Sequence, residues 1–313
     1  MNLVLAELSR LAARRFVQLM AVLLIAAFGV TVATTVAGSH RPTTAEWDQA
    51  EQEVQLAEVR LEQLRRECEQ REVSATFCDA YLERQPRIED YLFGVFVFSQ
   101  EIDELTYFMI AFLALFAFLV AASFVGAELT SGGMTNLLLW RPQRLTVLGT
   151  KLGTVLAAVL ALSVVASVLY IGAFYAISEV TGVPGALDGE FWADIALTVA
   201  RGLGLVLFAA AVGFGAATIG RHTAAALGLI ATYSIVWEIG ARIVFEVVEA
   251  GRPDQYMLSS YIGAWMDGDV SFYDRYVNDQ YELTWVHAAA VFAITLAVIV
   301  GGAFATFRHR DLA

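Results

Sequence analysis

Residues 105–127, LTYFMIAFLALFAFLVAASFVGA, form an apolar run without Asp, Glu, Lys, Arg or His. An α-helix of about 20 such residues, rising 1.5 Å per residue, is long enough to cross a bilayer. The run therefore predicts a transmembrane helix. The composition of the whole chain agrees, since 58% of the residues are hydrophobic and 17% are charged, against about 45–50% and 25% in soluble domains.

Five further runs are long and apolar enough to cross a bilayer. They cover residues 16–38, 152–177, 195–219, 223–245 and 285–307. With residues 105–127 as the second, we number them spans one to six. The first run is too long for the apolar region of a signal peptide, so we expect it to be retained. The predicted fold class is an all-α membrane protein with six transmembrane helices.

The basic residues predict the orientation, because cytoplasmic loops are rich in Arg and Lys. Six spans place residues 1–15, 128–151, the turn at Arg221 and the tail 308–313 on one side. These segments carry nine basic and three acidic residues, a net charge of +6, whereas the rest of the chain carries 11 basic and 29 acidic residues. We therefore expect both termini and the 128–151 segment to be cytoplasmic.

Residues 1–15, MNLVLAELSRLAARR, repeat leucine at helical spacing with charged residues between. This pattern predicts an amphipathic helix on the inner membrane face. The alternative is a simple charged start to span one.

Residues 39–104 form the largest predicted external insertion. Thr43 and Glu46 have capping-box spacing, and an a/d heptad pattern follows from Trp47 to Cys68. We expect an extracellular antiparallel helical hairpin whose return arm is broken at Pro86. The alternative is a helix that packs on neighbouring external loops.

Cys68 and Cys78 are the only cysteines and lie at the predicted tip of this hairpin. An oxidising compartment favours a disulfide between them, and two free thiols are the alternative.

The second external region, residues 246–284, is rich in Tyr, Trp and Asp. Such aromatics gather at membrane interfaces, so we expect short helices that dip into the outer leaflet, or an ordered loop.

Signals for chemistry within the chain are few. The four histidines are scattered without metal-ligand spacing, and no phosphate-binding loop motif occurs. The net charge of −12 argues against nucleic acid as a partner. The prediction is therefore that the chain is not an enzyme and holds no metal or cofactor.

Three charged residues fall inside spans, where charge is costly and often functional. Arg201 and Glu238 lie at similar depths, and Arg242 follows Glu238 by one helical turn. We expect Glu238 to pair with Arg201, Arg242 or both. The cluster would either line an outward cavity or fix helix packing, and we favour packing. The middle of the membrane carries no ionisable residue, which argues against an ion-coupled carrier.

The segment 128–151, ELTSGGMTNLLLWRPQRLTVLGTK, interrupts the apolar runs. Glu128 ends span two, Ser131-Gly132-Gly133 permits a tight turn, and residues 134–140 are long enough for two helical turns before Pro142 stops the helix. An apolar helix at such a site either docks onto another protein or lies in the inner membrane interface.

This segment resembles the first cytoplasmic loop of ABC-2 type transporter permeases. In that family, span two ends in Glu, and a Ser-Gly turn, a short Leu-rich coupling helix, a Pro–Arg pair and a Lys follow. The matching residues are Glu128, Ser131, Gly132, Asn136, Leu137, Leu138, Pro142, Arg144 and Lys151. Gly133 replaces a Thr, and Trp140-Arg141 before the proline is a departure.

The resemblance implies the transmembrane subunit of a bacterial ABC exporter in the plasma membrane. Two permease subunits, identical or sister chains, would form the pathway. Two separate ATPase subunits, which bind ATP and Mg, would dock on the coupling helix from Met134 to Trp140. The expected substrate is an amphiphilic drug or peptide; the alternatives are a lipid or glycan, or a non-transport sensor that uses the extracellular hairpin.

Overall fold

A computed structural model of the protein describes residues 3–70, 85–140, 143–274 and 279–309. Within this part the chain is mainly helical, with one two-stranded antiparallel sheet. The helices are α1 Leu3–Ala12, α2 Arg15–Gly38, α3 Thr44–Gln70, α4 Phe98–Thr130, α5 Gly133–Trp140, α6 Arg144–Thr181, α7 Gly189–Gly220, α8 Thr223–Val247, α9 Leu258–Asp267 and α10 Trp285–His309. The strands are β1 Asp269–Asp274 and β2 Asp279–Thr284.

The six predicted spans are confirmed as helices long and apolar enough to cross a membrane: α2, α4, α6, α7, α8 and α10. Three of them begin six or more residues before the predicted span, α4 by seven, α6 by eight and α7 by six, because polar residues continue the helix beyond the apolar run. The protein is therefore a multi-pass membrane protein. Of the six, α4 is the most buried, with 67% of its apolar window buried, whereas α2 and α8 have 6% each.

The chain divides into two units. The first comprises Met1–Ala27, Thr106–Leu169 and Ala193–Ala313. Its core includes a close approach of α4 and α7, where a Cβ on Gly213 would lie 2.6 Å from the Phe118 carbonyl oxygen. Small residues let membrane helices approach to this distance.

The second unit comprises Phe28–Leu105 and Tyr170–Trp192. Its α3 begins with the predicted capping box, in which the Thr43 amide donates to Glu46 Oε2 at 2.7 Å and the Glu46 amide donates to Thr43 Oγ1 at 3.4 Å. Ala50 of α3 packs with Leu92 and Val95. The helix thus packs on its own return segment.

The return arm differs from the predicted helical hairpin. Residues 85–97 contain a 3-10 turn at Ile88–Tyr91 and no α-helix, and regular helix resumes at Phe98. Backbone hydrogen bonds tie this stretch to the segment after α6, since Val183 donates to the Phe96 carbonyl at 2.9 Å and Phe98 donates to the Val183 carbonyl at 3.0 Å. Residues 71–84, which include the rest of the arm and Cys78, lie outside the described part of the chain.

The prediction of an all-α chain is wrong for residues 269–274 and 279–284, which form the antiparallel strands β1 and β2. The register pairs Val270 with Leu283 and Phe272 with Tyr281, whose rings stack 5.6 Å apart. These side chains alternate with polar ones. Leu283 forms a buried cluster with Ala264 of α9 and Ala288 of α10, against which Val270, Phe272 and Tyr281 pack. Alternation at period two favours a half-buried strand over a helix.

Candidate functional site

The segment that resembles a coupling loop folds as a short separate helix. Gly132 adopts a φ of +72°, the left-handed conformation that glycine tolerates best, and the chain turns there into α5. Met134 is buried, whereas 79% of Leu139 is exposed. The predicted turn and helix are thus present, and α5 presents an apolar side chain outward.

The two helices that flank α5 are joined by buried charges. Lys151, in the second turn of α6, has its Nζ 2.6 Å from Glu128 Oε2, near the end of α4. The same Nζ donates to Glu7 Oε2 of α1 at 2.5 Å. Arg14, which follows α1, donates to Glu128 Oε1 at 2.7 Å and to the Ser123 carbonyl at 3.1 Å. We call Glu7, Arg14, Glu128 and Lys151 the charge clamp.

The charge clamp is almost closed to solvent. The side chains of Glu7 and Lys151 are each 1% exposed, that of Glu128 12% and that of Arg14 20%. Desolvated charges are tolerated only when well paired, and here two carboxylates meet two cations. The Phe124 ring adds cation–π contacts, with the Arg14 guanidinium carbon 4.9 Å and Lys151 Nζ 5.1 Å from its centre.

Helix α1 reaches the charge clamp because of its amphipathic pattern. Glu7 and Leu11, one turn apart, are both buried, whereas Val4, Leu5 and Leu8 are exposed. The predicted helix therefore exists, and it turns its one carboxylate inward rather than toward solvent. Sequence reasoning did not connect Glu7 or Arg14 with the coupling segment; Glu7, the only acid in a basic stretch, was the available signal.

The remaining predicted coupling residues are only partly described. Ser131 and Asn136 are exposed, Leu137 is half-buried, and Arg144 is the first residue of α6. Leu138 and Trp140 lie on α5, but their side chains are outside the described part, as is Pro142. Their roles remain predictions.

The predicted pairing of Glu238 with Arg201 or Arg242 is wrong. Glu238 accepts hydrogen bonds from Tyr233 and from the amide and hydroxyl of Ser259, at 2.9, 3.0 and 2.8 Å. Arg201 donates to the Met266 carbonyl at 3.0 Å, and Arg242 lies 3.6 Å from Asp254. All three charges thus bind residues in 254–266 instead of one another. Glu238 and Arg201 bind the two ends of α9, and Arg242 lies beside the Asp254 carboxylate.

The predicted disulfide cannot be placed, because Cys68 is half-buried near the end of α3 while Cys78 is outside the described residues. Within residues 3–70, 85–140, 143–274 and 279–309, no group of three or more His, Cys, Asp or Glu side chains could hold a metal ion.

The chain matches no protein-family model, no curated protein and no solved structure.

Proposed function

We propose that this chain is the permease subunit of an ATP-driven exporter of the ABC-2 type, with α5 as its coupling helix. One observation carries the proposal: α5 is a short exposed helix whose two flanking helices are tied to each other and to α1 by the charge clamp. The resemblance of residues 128–151 to the coupling loop of that family points the same way.

The charge clamp gives α5 a mechanical role. If the two helices that flank a loop are not bonded to each other, a force on the loop deforms the loop and does not move the helices. Here the C-terminal end of α4 and the N-terminal end of α6, which flank α5, are joined by the ion pair of Glu128 and Lys151. A force on α5 is therefore shared by α4, α6 and, through Glu7, by α1.

The surface of α5 suits a protein partner. Eight residues are too few for a stable isolated helix in water, and Leu139 stands 79% exposed. A docked subunit would cover this side chain and hold the helix. The alternative is that α5 lies in the inner membrane interface, where lipid would cover the Leu139 side chain.

The remaining parts of the proposal follow from the family. The basic side that holds α1 and residues 128–151 faces the bacterial cytoplasm, where ATP is found. Separate ATPase subunits bind ATP and Mg, and a second permease, identical or a sister chain, completes the pathway. An amphiphilic drug or peptide is the first substrate class and a lipid or glycan the second.

Purification of the tagged chain from its native membrane in mild detergent tests the proposal. We expect a soluble ATP-binding subunit at about one copy per membrane chain, and intact masses that reveal one or two permease species. Leu139→Gln should lower the recovery of that subunit, whereas Leu197→Gln, at a 49% exposed position on α7, should leave it unchanged. Recovery of the membrane chain without any ATPase, even after cross-linking, would count against the proposal.

A further inference from the structure

Helix α3 has a second regular row of residues on the face opposite to its packed one. The packed face includes Ala50, which is buried against Leu92 and Val95 of its own return segment. The second row advances by alternating steps of four and three residues, the spacing of a coiled-coil contact. We call this row the outer seam. Its members, all of them exposed, are Ala45, Gln49, Gln52, Leu56, Val59 and Gln63.

The outer seam carries no charge, although α3 as a whole is rich in charge. Of the 27 residues of α3, 11 are Asp, Glu or Arg, and none of these falls on the outer seam. Leu56 and Val59, at its middle, are 53% and 57% exposed. Adjacent apolar side chains in an uncharged row of this spacing are typical of a helix face that packs on another helix.

The residues that flank the outer seam restrict which helix can pack on it, because flanking charges set the partner and the direction of a coiled coil. Within the described part of the chain, neither Glu53 nor Arg60, which lie on the same flank, forms an ion pair. Each is therefore available to a charge on a second helix. One flank carries Glu46, Glu53, Arg60 and Glu67, and the other carries Asp48, Gln55 and Glu62.

A second copy of α3 that runs in the opposite direction satisfies both the seam and its flanks. With a two-fold axis between Leu56 and Val59, each Leu56 meets Val59 of the second copy, and each Gln52 meets Gln63. The same register brings Glu53 beside Arg60 of the second copy. Two-fold symmetry forms each of these contacts twice, as in any contact between identical surfaces.

A parallel second copy is disfavoured by the same flanks. Parallel pairing brings Asp48 beside Glu53 of the other helix and Glu62 beside Glu67, so that like charges meet and no opposite charges do. Such repulsion selects against the parallel arrangement. In the antiparallel pair, like charges fall only near the helix ends, where water and salt screen them and Arg66 lies among them.

We propose that two identical chains pair antiparallel through the outer seams of their α3 helices. The second permease is then a second copy of this chain and not a sister chain. The proposal rests on the exporter function for the purpose of the dimer, whereas the contact itself requires only two copies in one membrane. Both copies are inserted in the same direction, so their two-fold axis follows the membrane normal and the paired α3 helices lie along the membrane surface.

Single cysteines in a Cys68→Ser, Cys78→Ser chain test the pairing in native membranes. In the antiparallel pair, the two Leu56 positions are offset by about 5 Å along the helices, whereas the two Ala45 positions are about 37 Å apart. Oxidation should therefore join two chains through Leu56→Cys and not through Ala45→Cys. Cross-linking at both positions, as a parallel pair gives, or at neither would overturn the proposal.

Reversal of charges tests the flanking contact. Arg60→Glu should lower the Leu56→Cys cross-linking about fivefold, because two exposed ion pairs become repulsive, and addition of Glu53→Arg should restore it. Arg65→Glu is the matched control, since Arg65 lies away from the outer seam, 3.4 Å from Glu62 of its own helix; it should leave the yield unchanged. An equal loss in the control, or no recovery in the double exchange, would overturn the antiparallel register.

The pairing and the exporter function fail separately. If the cross-links follow the expected pattern and no ATPase is recovered with the chain, the pairing stands and the exporter function fails. If the ATPase is recovered and Leu56→Cys joins no second copy, the pairing is overturned, and an exporter with a sister chain remains.

Discussion

At the scale of residues, the charge clamp is the cluster in which a single substitution should cost the most folding free energy. Glu7 and Lys151 are separated by 144 positions in sequence and meet at 2.5 Å with 1% exposure each. A buried ion pair adds little net stability over an apolar pair, but the loss of one partner leaves an unpaired buried charge. Substitutions within the clamp should therefore be much more damaging than substitutions at its rim.

Lys151→Met should destabilise the protein by about 3–5 kcal/mol, because Glu7 and Glu128 then lose the cation between them. Arg10→Gln is the control: Arg10 lies 3.3 Å from Glu7 but is 52% exposed, so its loss should cost about 0–1 kcal/mol. Unfolding in mixed micelles with increasing SDS measures both. Similar losses for the two variants would show that the pair is not buried as described.

The close approach of α4 and α7 gives a second prediction at this scale. Gly213→Ala should cost about 1–3 kcal/mol, because its Cβ would press on the Phe118 backbone, which cannot move alone. Gly153→Ala on α6 should cost less, since nothing lies within 4 Å of its Cβ. The same micelle titration compares them, and a reversed order would place the helices differently.

At the scale of elements, the start of α3 is stabilised by a charged capping box. Hydrogen bonds from the Thr43 amide, the His40 ring and the Thr43 hydroxyl lower the pKa of Glu46 from the ordinary 4.5 to about 2. A carboxyl with a lowered pKa in the folded state stabilises that state above its ordinary pKa. The contribution is lost as the pH falls from about 4.5 through about 2.

A carboxyl NMR titration of the purified chain should therefore find Glu46 with a midpoint near pH 2. His40→Ala removes one donor and should raise the pKa of Glu46 toward 4.5, because His40 is the second-largest cause of the shift. Gln52→Ala, an exposed position on the same helix, serves as the control. An unchanged midpoint in His40→Ala would exclude the His40–Glu46 contact.

The elements also show what a sequence can reveal. Span positions were predicted because hydropathy and helical length are local properties, and α3 was predicted because its capping box and heptads are local too. The charge clamp was missed because Glu7 and Lys151 meet only through the fold. The charges of the spans were paired by depth. In the structure, Glu238 and Arg201 instead bind the ends of α9 and Arg242 lies beside Asp254, contacts that arise only through the fold.

The β1–β2 hairpin was missed for another reason. Its signal, the alternation of Val270 and Phe272 with polar residues, is only a few residues long and lies among many aromatics. Those aromatics favoured an interfacial helix. In the structure, two of these aromatics, Phe272 and Tyr281, stack as a cross-strand pair.

At the scale of the whole molecule, the orientation is the prediction on which the function depends. In a chain without native cysteines, Ser131→Cys, next to α5, should react with a membrane-impermeant thiol reagent only after the cells are permeabilised. Ser271→Cys, on β1, should react in intact cells, and both serines are exposed. The reverse pattern would place α5 outside and remove any role for cytoplasmic ATPases.

The central claim is that α5 docks a soluble ATPase, and a photo-crosslinking residue in place of Leu139 tests it most directly. Illumination of native membranes should join position 139 to a soluble ATP-binding protein, while the same residue at Val248, 61% exposed beyond α8, should not. Cross-links from position 139 to lipid or to the chain itself, with no ATP-binding protein among the products, would contradict the account.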